Sequence, residues 1–244
     1  MREPYLSIVI PAYNEGLRIG NTLAKVRNYL ATRNYPVELI VVDDGSTDET
    51  AQILEDVEQR HRAMRVLRNE RNRGKGFSVR RGVLEAQGRF VLFTDADLSA
   101  PIEEANKLLA ALESTGADAA VGSRALERRL IGIHQPWFRE WAGRFFNVLV
   151  RFFTGLKVRD TQCGLKLFRR ASTRRAFELQ RIEGFGFDPE VLFLIERLGG
   201  KLAEVPVRWD DNPATKVRLL RDATRMMLDL VALRWRAATG KYKS

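Results

Sequence analysis

Five short apolar runs alternate with stretches of helical period, and that alternation restricts the chain to few architectures. The runs are LSIVIP (6–11), VELIVVDD (37–44), MRVLRN (64–69), RFVLFTD (89–95) and DAAVGS (118–123). Their length and branched side chains suit buried strands. Amphipathic patterns occupy 17–31, 48–61, 75–87 and 101–115 between them. Strand–helix–strand repetition predicts a mostly parallel sheet with helices on both faces and right-handed crossovers. Ser46 and Glu49 have the spacing of a capping box opening the second helix.

In an open parallel sheet, ligands bind beyond the carboxyl ends of the strands. Asp43 and Asp44 close the second predicted strand, Asp95 and Asp97 the fourth, and Pro11-Ala12-Tyr13-Asn14-Glu15 follows the first. Two readings of Asp95-Ala96-Asp97 are open. The carboxylates suit a hard divalent cation, Mg²⁺ or Mn²⁺, which keeps positions for water and phosphate. Alternatively, Asp97 or Ser99 caps the helix entered at Pro101. Convergence with Asp43 and Asp44 on one edge favours the cation.

Several chemistries are excluded. No GxxxxGK[ST] loop occurs, and PAYNEG stands where a dinucleotide fold would carry GxGxxG. His61 and His134 lack metal-ligand spacing, and no GxSxG elbow is present. Cys163, the single cysteine, permits no intrachain disulfide and reads as a buried structural thiol.

The second half is basic and aromatic. Between Arg124 and Arg175 stand 13 Lys/Arg against Glu127, Glu140 and Asp160, which accounts for the whole net charge of +10. Such a patch suits phosphate, nucleic acid or an acidic lipid surface, or is simply a solvated face. Four acids on the sheet edge would repel a nucleic acid backbone, so no nucleic acid partner is expected. The segment 139–156 is helical, with Arg144, Asn147, Arg151 and Thr154 on one stripe and aromatic and aliphatic residues around most of the rest. Leu219, Ala223, Met226, Leu230 and Leu233 form an apolar stripe in a last basic helix. Both helices read either as core-facing with cationic outer stripes or as interfacial at a membrane. No run is long enough to span a bilayer and no signal peptide is evident. The expected location is peripheral, on the cytoplasmic face of a membrane.

The motifs IVIPAYNE (8–15), LIVVDDGSTDET (39–50), RNRGKGFSVRRG (71–82), LFTDADLSAP (92–101) and VGSR (121–124) together resemble the family 2 glycosyltransferases of the GT-A fold. RDTQCGLKLFRR (159–170), FDPEVLFLIERLG (187–199) and EVPVRW (204–209) are similar to the dolichyl-phosphate β-glucosyltransferase and polyprenyl-phosphate mannosyltransferase branch. The resemblance implies a catalytic domain over 1–215, with a nucleotide-sugar half (1–123) and an acceptor half (124–215), followed by a basic amphipathic helix (216–244). It implies inverting, metal-dependent transfer of a hexose, glucose from UDP-glucose first, to a polyprenyl or dolichyl phosphate. GDP-mannose as donor or a glycan hydroxyl as acceptor are the alternatives.

Residue by residue, the resemblance places Pro11, Ala12, Tyr13, Glu15, Asp43, Asp44, Lys75, Gly76, Ala96 and Lys216 around the nucleotide-sugar. Asp95, Asp97 and Gln162 fall at the metal, Mg²⁺ or Mn²⁺. Arg124, Arg139 and Arg144 fall at the acceptor phosphate, and Asp95, Asp97, Arg124, Asp160 and Gln162 carry catalysis. A hydroxyl acceptor would need a carboxylate base, Asp188 or Asp160. Two departures stand out. Ala214-Thr215-Lys216 replaces the usual Gly-Ser-Lys, and the Q-x-x-R-W signature of processive synthases is missing, which points to single transfer.

Overall fold

The computed structural model describes residues 3–61, 63–211 and 219–242. The five predicted strands form as β1 (Leu6–Ala12), β2 (Val37–Asp43), β3 (Met64–Arg68), β4 (Phe90–Thr94) and β5 (Ala119–Ser123). The predicted helices form as α1 (Ile19–Ala31), α2 (Thr50–Arg60), α3 (Lys75–Glu85) and α4 (Ala105–Thr115), the last entered through a short 3₁₀ turn.

The expected capping box is absent. Ser46 Oγ instead accepts the Asn14 N–H at 2.9 Å, and Asp48 Oδ1 accepts the Thr50 N–H at 3.0 Å. A contact between two loops took the hydroxyl that local sequence assigned to the helix end.

Beyond β5 come β6 (Ile131–Ile133), α5 (Trp137–Thr154), β7 (Leu165–Arg169), α6 (Arg170–Leu179), α7 (Phe187–Arg197), β8 (Leu202–Pro206), β9 (Trp209–Asp210) and α8 (Leu219–Ala238). The main sheet has the order β3-β2-β1-β4-β7-β5-β8. Six of its strands run one way, and β7 lies antiparallel between β4 and β5. β7 therefore stitches the second half of the sequence into the sheet of the first, so the two halves share one core.

Strand residues alternate between two buried layers, as the pleat requires. Ile8, Ile10, Leu39, Val41 and Leu92 meet Leu23, Leu54 and Leu108 of α1, α2 and α4. Val9, Ile40, Val42, Val91 and Phe93 meet Val79, Phe177, Leu192, Val150 and Leu230 of α3, α6, α7, α5 and α8. This is the mostly parallel sheet covered on both faces that the resemblance to the GT-A fold predicts.

α5 divides its polar stripe: Arg144 and Arg151 are exposed, as a cationic outer stripe requires, whereas Asn147 and Thr154 turn inward. Asn147 is half-buried, and its amide oxygen accepts the Thr161 N–H and O–H at 3.1 and 2.9 Å; Thr154 is buried. Trp137, Trp141, Phe145, Val148 and Phe152, spaced four, four, three and four apart, form an exposed stripe. α8 packs on α5, buries Met226, Leu230 and Leu233, and exposes Leu228, Val231 and Trp235. Ala223 is exposed, and the side chain of Leu219 lies outside those described. Among the described residues, no helix is long and apolar enough to cross a membrane.

Candidate active site

The carboxyl edge of the sheet gathers the acids as the sequence predicts. β1 separates β2 from β4, so Asp43 and Asp44 stand on one side of the PAYNE turn and Asp95 and Asp97 on the other. The two non-glycine residues with positive φ among those described both lie here: Asn14 at 53° and Leu98 at 48°. Left-handed backbone disfavours a side chain such as leucine and concentrates at functional sites. Neighbouring contacts hold it. Asn14 Oδ1 accepts the Thr47 N–H at 2.8 Å, and the Leu98 N–H donates to the Asp95 carbonyl at 3.2 Å.

Asp44 is a buried clamp. Its Oδ1 accepts Asn69 Nδ2 and the Arg73 N–H at 2.7 and 2.9 Å, and its Oδ2 accepts the Gly74 N–H at 2.8 Å. Asp43 Oδ1 accepts the Ser46 N–H at 3.0 Å, with Arg68 Nε 3.4 Å from Oδ2. Pro11 and Ala12 end β1, and the buried Ala12 carbonyl accepts the Asp44 N–H at 2.8 Å. Tyr13 is partly exposed on the same turn, and Glu15 pairs with Arg18.

Asp95 and Asp97 face a set of cations. Lys75 Nζ lies 2.7 Å from Asp95 Oδ1. Burial opposes the Lys75 ammonium, but Asp95 and Asp188 outweigh it and raise its pKa. Burial and the neighbouring Asp95 charge push the Asp97 carboxyl above its ordinary range. Asp97 Oδ1 also accepts the Ser99 N–H at 3.0 Å, so the local cap exists beside the acidic pair. Thr22 Oγ1 of α1 fixes the Ala96 carbonyl at 2.6 Å.

The loop before β7 closes the site. The Asp95 N–H donates to the Gly164 carbonyl at 3.1 Å, and a Cβ at Gly164 would stand 2.0 Å from Asp95 Oδ2. A side chain at 164 would displace the Asp95 carboxylate from this position. Gln162 rides on the same loop, its N–H 3.3 Å from Asp160 Oδ1.

These residues fit a hard divalent cation. The two carboxylates supply oxygen, and the mutual repulsion that raises the Asp97 pKa is what a cation relieves. Among the described residues, no group of three or more His, Cys, Asp or Glu is arranged to hold a metal. A cation on Asp95 and Asp97 would therefore complete its shell from water, an amide or a ligand's phosphate oxygens.

Two further acids are already paired. Arg124 Nε and Nη2 lie 2.7 and 2.8 Å from the two oxygens of Asp160, whose Oδ2 also accepts the Arg124 N–H at 3.0 Å. Burial opposes both charges; their pairing raises the Arg124 pKa and depresses that of Asp160. The Arg124 guanidinium sits 5.2 Å over the Trp209 ring. Asp188, 4% exposed, meets the ammonium of Lys166, 1% exposed, at 2.5 Å, and Lys166 also donates to the Cys163 carbonyl at 2.7 Å. Burial pushes the Cys163 thiol up to about 12, which leaves it inert as a nucleophile.

Sequence reading missed Lys166 and Arg18. Lys166 left a signal, a lone cation inside the apolar run Leu165–Phe168. Arg18 left none; its field at Asp95 and Asp97 appears only once α1 is docked. Arg144 is exposed on α5, 3.6 Å from Glu140. Arg139 is on the same helix, its side chain outside those described. Lys216 lies outside the described residues.

Comparison with known proteins agrees with this arrangement. The profile of Glycosyl transferase family 2 matches residues 7–177. The dolichyl-phosphate beta-glucosyltransferase of Drosophila melanogaster is 37% identical, over 98% of this chain and 77% of its own length. That of Mus musculus is 36% identical over 98% and 77%. Among solved structures, glucosyl-3-phosphoglycerate synthase from Mycobacterium tuberculosis, in complex with Mn²⁺, UDP and glucosyl-3-phosphoglycerate, superposes with a TM-score of 0.66 at 23% identity, covering 94% of this chain and 78% of that one. With its acidic strand ends, its GT-A sheet and these relatives, the chain belongs to glycosyltransferase family 2.

Proposed function

We propose that this glycosyltransferase moves glucose from UDP-glucose to a dolichyl or other polyprenyl phosphate, with inversion, at a membrane surface. The observation that carries the acceptor class is the pairing of both carboxylates available as a base. A hydroxyl acceptor needs a positioned base to take its proton. Asp160 is held by Arg124 and depressed in pKa; burial raises the pKa of Asp188, but its carboxylate is occupied by the Lys166 ammonium at 2.5 Å. A phosphate monoester needs no such group, because its second pKa near ~6 leaves it largely dianionic at neutral pH. The relatives' names supply dolichyl phosphate and the glucosyl group, and the Mycobacterium neighbour, with UDP and Mn²⁺, supports the donor and the metal.

Asp95 and Asp97, with Gln162 beside them, would hold Mg²⁺ or Mn²⁺, which supplies Lewis-acid stabilisation of the departing diphosphate. This chain's own residues do the rest. Lys75, released from Asp95 when the donor arrives, places a second positive charge at the leaving group. Tyr13 and Glu15, with Asp43 and Asp44 behind them, shape the nucleoside side, and Pro11, Ala12, Gly76 and Ala96 allow close approach. Arg124 engages Asp160 through Nε and Nη2, and its remaining N–H donors are left for the acceptor phosphate, for which the family resemblance also nominates Arg139 and Arg144. Asp160 orients Arg124 through both its oxygens. The acceptor oxygen attacks C1 from the face opposite the diphosphate, and its own charge replaces a protein base.

The exposed stripe of α5, continued by Leu228, Val231 and Trp235 of α8, is the surface we assign to the bilayer, with Arg144 and Arg151 at its margin for anionic headgroups. The deciding experiment incubates UDP-glucose and GDP-mannose in turn with a short polyprenyl phosphate and with the corresponding free alcohol, and weighs the products. A glucosyl phospholipid from UDP-glucose is expected. A product from the alcohol would overturn the acceptor argument, and a mannosyl lipid would overturn the donor.

A further inference from the structure

α7 carries an acid that the chemistry above does not use. Glu190 is fully buried, yet both its oxygens are engaged from opposite directions. Oε2 accepts the N–H groups of Arg181 and Ile182 at 3.0 and 2.7 Å. Oε1 accepts the Tyr242 hydroxyl, and the Arg236 guanidinium stands 3.9 Å away. Tyr242 and Arg236 belong to the C-terminal segment, and Arg181 and Ile182 begin the connection into α7. One carboxylate thus joins two segments far apart in sequence.

That connection also touches the donor side of the site. The Glu183 carbonyl accepts the Phe77 N–H at 3.1 Å, and Gln180 Nε2 bridges the Gly76 and Ile182 carbonyls at 2.9 Å each. Glu183 meets Arg73 at 2.7 Å. A Cβ on Gly76 would stand 2.7 Å from the Ile182 carbonyl, so the two backbones are in direct contact. Between Arg73 and Gly76 lies Lys75, 2.7 Å from Asp95. A second contact ties the same loop to α8: a Cβ on Gly186 would stand 2.6 Å from Asp229 Oδ2.

We propose that Glu190 is a positioning residue of the donor site, through which the seating of α8 sets the position of Lys75 opposite Asp95. The inference rests on the donor reading above for its consequence and on the contacts alone for its mechanism. Desolvation makes the arrangement sensitive, because a buried carboxylate that loses a donor keeps the full cost of burial. The loop 181–186 then shifts to find new partners and takes the start of α3 with it. α8 also carries Leu228, Val231 and Trp235 on its exposed side, so the same strut connects the face assigned to the bilayer with the metal edge.

The test uses Tyr242→Phe, which keeps the ring and removes the hydroxyl, with Glu190→Gln as the second variant. Hydrogen exchange of the Phe77 amide reads the coupling without any ligand. Exchange about tenfold faster at Phe77 and across 181–186, with β1 and β4 amides unchanged, is expected in both variants. Titration of UDP with Mn²⁺ reads the consequence, an affinity about five- to tenfold weaker while KM for a short polyprenyl phosphate holds. Unchanged exchange at Phe77 in Tyr242→Phe overturns the proposal. A uniform rise in exchange with equal loss on donor and acceptor sides also overturns it, as the mark of general destabilisation. If the wild type binds no UDP with Mn²⁺, the donor reading fails, and the Phe77 exchange still decides whether Glu190 couples the two segments.

Discussion

The carboxyl edge of the sheet and the outer face of α5 and α8 are opposite solutions to placing charge and apolar surface. At the edge, acids are buried and heavily partnered: Asp44 takes three donors, Asp160 a two-point arginine, Asp188 a buried lysine. On the outer face, aromatic rings stand in solvent, Trp141 at 64% and Phe152 at 83% exposure. Trp141 and Phe145 stack on each other with ring centroids 5.6 Å apart, not on the core. The edge spends folding stability to hold geometry, whereas the face withholds apolar area from the core. An apolar stripe kept out of the interior suits the bilayer contact proposed above. Edge and outer face therefore rest on different physical grounds and respond differently to substitution.

The sharpest break of this contrast is Asp97→Asn, which keeps shape and removes charge. Transfer should fall by about a hundredfold or more, with circular dichroism unchanged and EDTA reproducing the loss in the wild type. Wild-type rates in the variant would remove the metal from this edge.

Lys166→Met comes next, because it removes the ammonium hydrogen-bonded to the buried Asp188 carboxylate and leaves only the field of Lys75. Such a break costs about 3–5 kcal/mol, read as a lower urea midpoint. The double variant Lys166→Met, Asp188→Leu should recover much of it, since apolar replacement of a whole buried pair is often tolerated. No recovery would mean that Asp188 does more for the fold than balance Lys166.

The smallest effect on folding belongs to the outer face. Replacing Trp141 and Phe152 by Ser should leave thermal stability within about 0.5 kcal/mol. Flotation with anionic vesicles at low salt should fall about tenfold, because two exposed rings that enter the interface are lost. Equal flotation of variant and wild type would return the stripe to ordinary exposed surface.

Much of the edge was legible in advance. Short apolar runs rich in branched side chains announced β1 to β5, and acids directly after them announced the site, because strand ends in a parallel sheet converge whatever the side chains between. β7 was harder to read, since Lys166 interrupts its apolar pattern and its antiparallel place between β4 and β5 depends on no local signal. The orientation of α5 stayed open between a core-facing and an interfacial reading for a related reason. Periodicity shows that two stripes exist, but not which one the core accepts. Asn147 turns inward because the Thr161 backbone needs an acceptor there.

Local pattern was therefore enough for the order of the first five strands and four helices, the acidic edge and the basic, aromatic second half, since each follows from spacing along the chain. Long-range packing alone decided which buried groups pair: Arg124 with Asp160, Lys166 with Asp188 and Lys75 with Asp95 as ion pairs, and Tyr242 with Glu190 as a hydrogen bond. Most of these partners are distant in sequence, and the cost of burying a charge fixes them only when the fold has removed the water.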